Sequence, residues 1–340
     1  MRLRSLRLFA FTALITPAAV VACLGTRFDL AEDPLPSGSD SGTADATMSD
    51  AEDAGNDAEE SPSDAGDAAI GPRCKRSASF GAPSLVPGLV SGAVGLRLLP
   101  DELTGYYHLD KDSQIYRVTR ATRTAAFEAP TKIALKYSTD PAVDAGSHVL
   151  HFPSVTGDDS VMYLSGDFSI YRAYRDAGTF GPLTPIPELT RKDPVIHWGS
   201  FVSENGSFVA YTAIDLAAGQ LTMRASTVTN GAVSAPGLVD GGGAGREGFL
   251  VLTADGTSAY FTTTRESDGG GRFQIWMSGA NTEEGKLPTL NDPAPVVELR
   301  DLSSDRTPTW VSQDNCRLYF MSDAPDGGGQ AMYVAERTLE

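Results

Sequence analysis

The 340-residue chain has little of what most catalytic centres are built from: three cysteines and four histidines. No G-x-S-x-G nucleophile elbow occurs anywhere in it. Basic residues are also scarce, with 27 Lys and Arg against 44 Asp and Glu for a net charge of −17, and nothing along the chain resembles the basic footprint of a nucleic-acid binder. Long helical periodicity is missing, which argues against a helical domain. His148 and His151 form an H-x-x-H, but in a strand a three-residue spacing sends the two rings to opposite faces, a poor start for a zinc site. His108 and His197 stand in other parts of the chain. Gly243 to Gly248 fits G-x-G-x-x-G in letters, yet Phe249-Leu-Val-Leu252 follows it and reads as a strand, where a dinucleotide site needs a helix. Asp110-Lys-Asp112 and Asp158-Asp159 are calcium-type residues in places where aspartate is expected simply to make turns. No catalytic residue, cofactor-binding residue or metal ligand is therefore assigned.

One long apolar run exists, from Leu8 to Val21, behind Arg2, Arg4 and Arg7 and ahead of Val20-Val21-Ala22-Cys23. A basic start, a short apolar stretch and small residues before a cut site make residues 1–22 a secretory signal peptide, too short to span as a permanent helix. Val-Val-Ala-Cys resembles the bacterial lipobox, and the resemblance implies that Cys23 becomes a lipidated mature N-terminus. An ordinary leader with an incidental cysteine is the competing reading. Two or three acyl chains anchor a protein essentially permanently, because each buried methylene contributes about 0.8 kcal/mol. Leu24 rather than Asp after the cysteine implies, by the same resemblance, the outer membrane.

Residues 23–73 read as a spacer. Between Phe28 and Pro72 lie thirteen acidic residues and no Lys or Arg, leaving about four net negative charges on the rest of the chain. With almost nothing apolar to bury, such a segment cannot offset its ordering entropy and is expected to be disordered. Metal binding or nucleic-acid mimicry is the alternative for so acidic a run.

Residues 74–340 carry short runs rich in Val, Tyr, Phe and Thr between Gly, Asp, Asn and Pro clusters, the pattern of an all-β domain. A unit recurs five times. Its turn is Asp101-Glu102, Gly157-Asp158, Asn205-Gly206, Asp255-Gly256 or Asp314-Asn315, and an aromatic follows five residues later at Tyr107, Tyr163, Tyr211, Phe261 and Phe320. These aromatics are 56, 48, 50 and 59 residues apart. Repeats of this length, each holding several short strands, fit the four-stranded blades of a β-propeller better than a solenoid or a sandwich array.

The stretch Asp255-Gly-Thr-Ser-Ala-Tyr-Phe-Thr-Thr-Thr-Arg265 with Gln274-Ile-Trp276 resembles the WD40-like β-propeller repeat (PD40) of TolB-like periplasmic proteins, as do Ser312 to Asp323 and Met332-Tyr333. The match is strong in the last two units, while the first three keep the turn and aromatic columns. The resemblance implies a single propeller of five blades, or six with one poorly readable, and leaves activity open.

Phe80-Gly-Ala-Pro83 and the residues up to Leu89 resemble the connectors Phe127-Glu-Ala-Pro130 and Phe180-Gly-Pro-Leu183 but precede the first complete unit. They are expected to supply the outer strand of the last blade and so close the ring. With Cys23 consumed by lipid, Cys74 and Cys316 are expected to pair in an oxidising compartment, two separate thiols being the alternative.

Two functions fit. The first is a non-catalytic protein- or ligand-binding or assembly module, tethered to the membrane by lipid in the cell envelope and facing the periplasm or the cell surface. The second is a propeller hydrolase of lactonase or glycosidase type, which requires carboxylates and histidines converging on one channel mouth.

Overall fold

The computed structural model describes residues 74–338 apart from 113, 139, 145–148, 242–245, 266–270, 284, 302 and 325–328. Cys23, the expected leader and the acidic stretch lie outside the described residues. The domain is an all-β propeller of five blades, each an antiparallel meander running from an inner to an outer strand.

Blade 1 consists of Ala93–Leu98, Thr104–Leu109, Gln114–Thr119 and Thr131–Lys132. Blade 2 consists of Leu150–Val155, Val161–Gly166, Ser169–Asp176 and Thr184–Pro185. In blade 3 the strands are Val195–Val202, Phe208–Asp215, Gln220–Thr229 and Gly237–Leu238. Those of blade 4 are Glu247–Leu252, Ser258–Thr263, Gln274–Asn281 and Thr289–Pro295. Blade 5 has three strands of its own, Arg306–Val311, Arg317–Asp323 and Gln330–Glu336. Its fourth is borrowed from the other end of the domain: Ser84–Leu85 pairs Val334 and Tyr333, and Phe80 bridges Arg337. The first two strands of the blades are buried almost throughout, because a neighbouring blade covers each face. That is why they read as apolar runs rather than alternations.

The recurring turn is built by its acid or amide. Asp158 accepts from the Thr156 and Ser160 hydroxyls, Asn205 from Ser203, Asp255 from Thr253 and Thr257, and Asp314 from Ser312. The next residue takes a left-handed conformation: Glu102, Asp159, Gly206, Gly256 or Asn315. In blade 2 the turn pair is thus Asp158-Asp159, one residue later than the sequence reading of Gly157-Asp158. The slip moves the aromatic column as well. Tyr163 pairs Ser154 as Tyr106 pairs Arg97, so Leu164, not Tyr163, is the counterpart of Tyr107.

Three of the five blade interfaces carry the same clamp. A tyrosine of one blade donates its hydroxyl proton to the left-handed residue of the next, and an arginine at the end of that next blade's third strand donates to the tyrosine oxygen. Tyr106, Asp159 and Arg175 join blades 1 and 2. Tyr260 reaches Asn315 at 2.7 Å and receives Arg337 at 3.0 Å between blades 4 and 5. Tyr319 reaches Glu102 at 3.3 Å and receives Arg120 at 3.1 Å between blades 5 and 1. Each arginine stacks on the phenylalanine of an inter-unit connector, with Arg337 4.0 Å from Phe80, Arg120 4.6 Å from Phe127 and Arg175 4.5 Å from Phe180. At the two interfaces that flank blade 3 the clamp is not formed, although Tyr163 keeps the tyrosine position in blade 2. Gly206 and Gly256 hold the acceptor positions, and Val228 and Ala280 stand where the register places arginine.

The closure between blades 5 and 1 is the most heavily charged. Glu102 is 2% exposed and binds Arg317 through both oxygens, with Arg120 and Arg123 at 3.7 and 3.8 Å. The Cys74–Cys316 disulfide ties the entering chain to blade 5 across 242 residues, as expected from the sequence. On the chain-entropy model such a crosslink contributes roughly 5 kcal/mol.

Two outcomes follow. Cys316→Ser should lower the thermal midpoint of the native protein by several degrees, and non-reducing peptide mapping of the unaltered protein should find Cys74 joined to Cys316. Glu102→Gln should cost about 3 kcal/mol in denaturant unfolding, since it strands buried guanidinium groups that now share one carboxylate. A loss below about 1 kcal/mol would remove this closure from its central place.

Candidate functional site

The face that carries the repeated turns opens into a cleft of about 1220 Å³. It lies over blade 3 and runs from the blade 2 turn at Thr156 and Asp158 to the blade 4 hairpin at Thr282 and Glu283. Its position follows from the missing clamps, for Gly206, Gly256 and Val228 all line it. A Cβ on Gly256, at φ +65°, would fall 1.9 Å from the Thr282 hydroxyl, and one on Gly206 would fall 3.2 Å from Thr156. Glycine at these two turns therefore accommodates the close approach of Thr282 within blade 4 and of Thr156 from blade 2.

The lining is polar but mostly uncharged. Ser203, Asn205, Ser207 and Thr253 line it beside Phe201, Tyr163 and Tyr174, the last 49% exposed. Arg172 stacks over Tyr174 at 5.4 Å and donates to the Gly231 carbonyl, fixing the far wall. Its carboxylates are already engaged. Hydrogen bonds from Thr156 and Ser160 hold the Asp158 carboxyl below its ordinary range, and Glu283 pairs with Lys286. Glu204 sits where the second residues of the turns approach the axis; burial raises its carboxyl, and the Gln313 amide donates to it from blade 5 at 3.0 Å.

The propeller axis is filled by side chains. Each inner strand is bulged, and in blades 1 to 4 a residue in the bulge has positive φ: Gly95, Phe152, Gly199 and Phe249. Each phenylalanine covers the glycine of the preceding blade. A Cβ on Gly95 would meet the Phe152 ring at 2.8 Å, one on Gly199 would meet Phe249 at 2.7 Å, and the two rings lie 5.4 Å apart. A positive φ at phenylalanine is a strained choice, of order 1–3 kcal/mol, that aromatic packing along the axis offsets here. Nothing in the linear sequence marks it.

The histidines are less scattered than the sequence suggested. His108 of blade 1 and His151 of blade 2 meet edge to face at 4.7 Å, because they sit at matching ends of adjacent blades. His151 also packs 4.4 Å from Trp198, and burial, then the neighbouring His108, pushes its ring well below the ordinary histidine range. His108 accepts from the Phe152 N–H at 3.3 Å, while His197 is held apart by the Leu189 carbonyl at 2.8 Å. His148 lies outside the described residues. Among the described residues no three His, Cys, Asp or Glu side chains converge to hold a metal ion. Of the residues singled out by sequence, Cys74 and Cys316 are joined and serve closure; Asp110 lies 3.5 Å from His108, and Asp112 accepts from Tyr116 at 2.6 Å. The cleft itself was not anticipated, although glycine as the second residue of two of the five turn dipeptides was its one visible trace.

No protein-family model matches the chain, and no curated protein matches it. Among solved structures it is similar to the endo-arabinase from Bacteroides thetaiotaomicron, at 14% identity over 77% of this chain and 98% of that one, with a TM-score of 0.45. It is also similar to regucalcin, a calcium-binding protein from Agrobacterium tumefaciens, at 11% identity over 77% and 97%, with a TM-score of 0.40. A third likeness is to the periplasmic gluconolactonase of Pseudomonas aeruginosa, at 13% identity over 72% and 70%, with a TM-score of 0.35. At these values no substrate or chemistry passes from those proteins to this chain.

Proposed function

We propose that the protein is a membrane-tethered binding module of the cell envelope, which holds an extended polypeptide segment of a partner in the cleft over blade 3. The observation that carries this reading is the coincidence of the cleft with the two interfaces at which the acceptor and arginine of the clamp are replaced by Gly206 and Val228 or by Gly256 and Ala280. An opening produced by substituting several repeat positions together is a built feature of the ring. Its volume of about 1220 Å³ exceeds the roughly 300–1,000 Å³ of small-molecule pockets. Serine, threonine and asparagine groups beside tyrosine and phenylalanine suit main-chain amides and apolar side chains, and engaged carboxylates suit chemistry less. The tether is the lipidated Cys23 with the acidic spacer, a part of the proposal that rests on the sequence alone.

The test is selection of binding peptides from a random library on the full-length protein, followed by affinity measurement. Tyr174→Ala and Thr229→Trp, both at cleft positions, should each weaken the selected peptides at least tenfold. Unchanged affinity in both variants would remove the cleft from the account. Turnover of lactone, glycoside or peptide substrates that disappears in Glu204→Gln would replace binding with the propeller hydrolase.

A further inference from the structure

Buried arginines in this propeller are well served. Arg120 donates to the Glu102 carbonyl and to Tyr319, and Arg337 to the Asn315 and Ala78 carbonyls and to Tyr260. Arg97 departs from this pattern. It leaves the inner strand of blade 1 and crosses toward blade 3, where one terminal nitrogen donates to the Ser200 carbonyl at 3.3 Å. The residue is 5% exposed, and its other terminal nitrogen is buried with no hydrogen-bond partner. No carboxylate of the described residues pairs with it. Burial pushes its pKa down to about 9, which leaves it a cation at neutral pH. Its guanidinium lies over the Phe201 ring, 5.1 Å from the centroid.

We propose that Arg97 is the anchor of an anion site that takes a small oxyanion, a carboxylate or a phosphate, behind Phe201, whose ring separates the guanidinium from the cleft. A buried guanidinium without a counter-charge is costly, and its planar fork of donors matches a two-oxygen acceptor. The surroundings fit such a ligand. Ser154 occupies in blade 2 the register position that Arg97 occupies in blade 1, and its hydroxyl accepts the Val202 N–H at 2.9 Å, leaving its proton to donate. Phe201 stacks on the guanidinium and also lines the cleft, so its ring stands between the site and the open face. Glu204, at the mouth, has its carboxylate engaged by Gln313. The proposal does not depend on the cleft binding polypeptide.

The experiment is calorimetric titration of the full-length protein with phosphate, sulfate and acetate, at an ionic strength held constant with sodium chloride. Thermal melts under the same conditions accompany it. One equivalent of oxyanion should bind, compete with the other two, and raise the midpoint by several degrees at a hundredfold excess over its Kd. Arg97→Lys, which keeps the charge and loses the fork, should bind at least tenfold more weakly. Arg97→Gln should show no response and should melt no lower than the unaltered protein without oxyanion, since a buried charge has been removed. Absence of heat and of a midpoint shift in the unaltered protein would overturn the proposal, whether or not the variants fold, and so would an equal oxyanion response in Arg97→Gln.

Discussion

A propeller lives or dies by its seam. Four of the five blades are continuous in sequence, but the fifth lacks an outer strand, and the first and last blades are joined only by what the chain can bring back from its far end. Here Ser84–Leu85 fills the missing edge, Cys74 is bonded to Cys316, and Glu102 sits beneath three arginines and a tyrosine. The three devices differ in kind. The strand satisfies backbone groups that an open edge would expose, the disulfide limits the unfolded chain, and the carboxylate balances charge that has already been taken out of water.

The same clamp chemistry, in milder form, holds the interfaces between blades 1 and 2 and between blades 4 and 5. Its absence on both sides of blade 3 gives the ring a tight half and a loose half. The cleft lies on the loose half, and Arg97 reaches across the axis to the same blade. Ring closure and the cleft are thus separated along one repeat. Positions that hold Asp, Asn, Glu or Arg for closure are given over to Gly, Val and Ala where the cleft opens, while the tyrosine position is Ala210 in blade 3 and remains Tyr163 in blade 2.

Much of the architecture was legible because turn chemistry is local. An aspartate or asparagine that bonds a hydroxyl two residues away writes itself into the sequence, and an aromatic a fixed distance later repeats with it. The one-residue error at Asp158-Asp159 arose where Gly157 imitated a turn glycine, and it carried Tyr163 onto the wrong face. The connectors at Phe80, Phe127 and Phe180 were visible as a pattern, but their arginine partners were not, since a stack between a connector and the end of a third strand depends on strand register. Phe152 and Phe249 were hidden for a different reason: a positive φ at phenylalanine has no local signature and exists only because neighbouring blades hold it. Arg97 looks like any strand arginine until burial on all sides is known.

The most direct test of a ring latched at its seam and loose at blade 3 is native-state hydrogen exchange, read by mass spectrometry at increasing sub-denaturing urea. Peptides from Phe208–Asp215 and Gln220–Thr229 should open first and by a partial unfolding, while those from Thr104–Leu109 and Arg317–Asp323 should exchange only with global unfolding. Equal protection of all five blades, or earlier opening at the seam, would contradict the account.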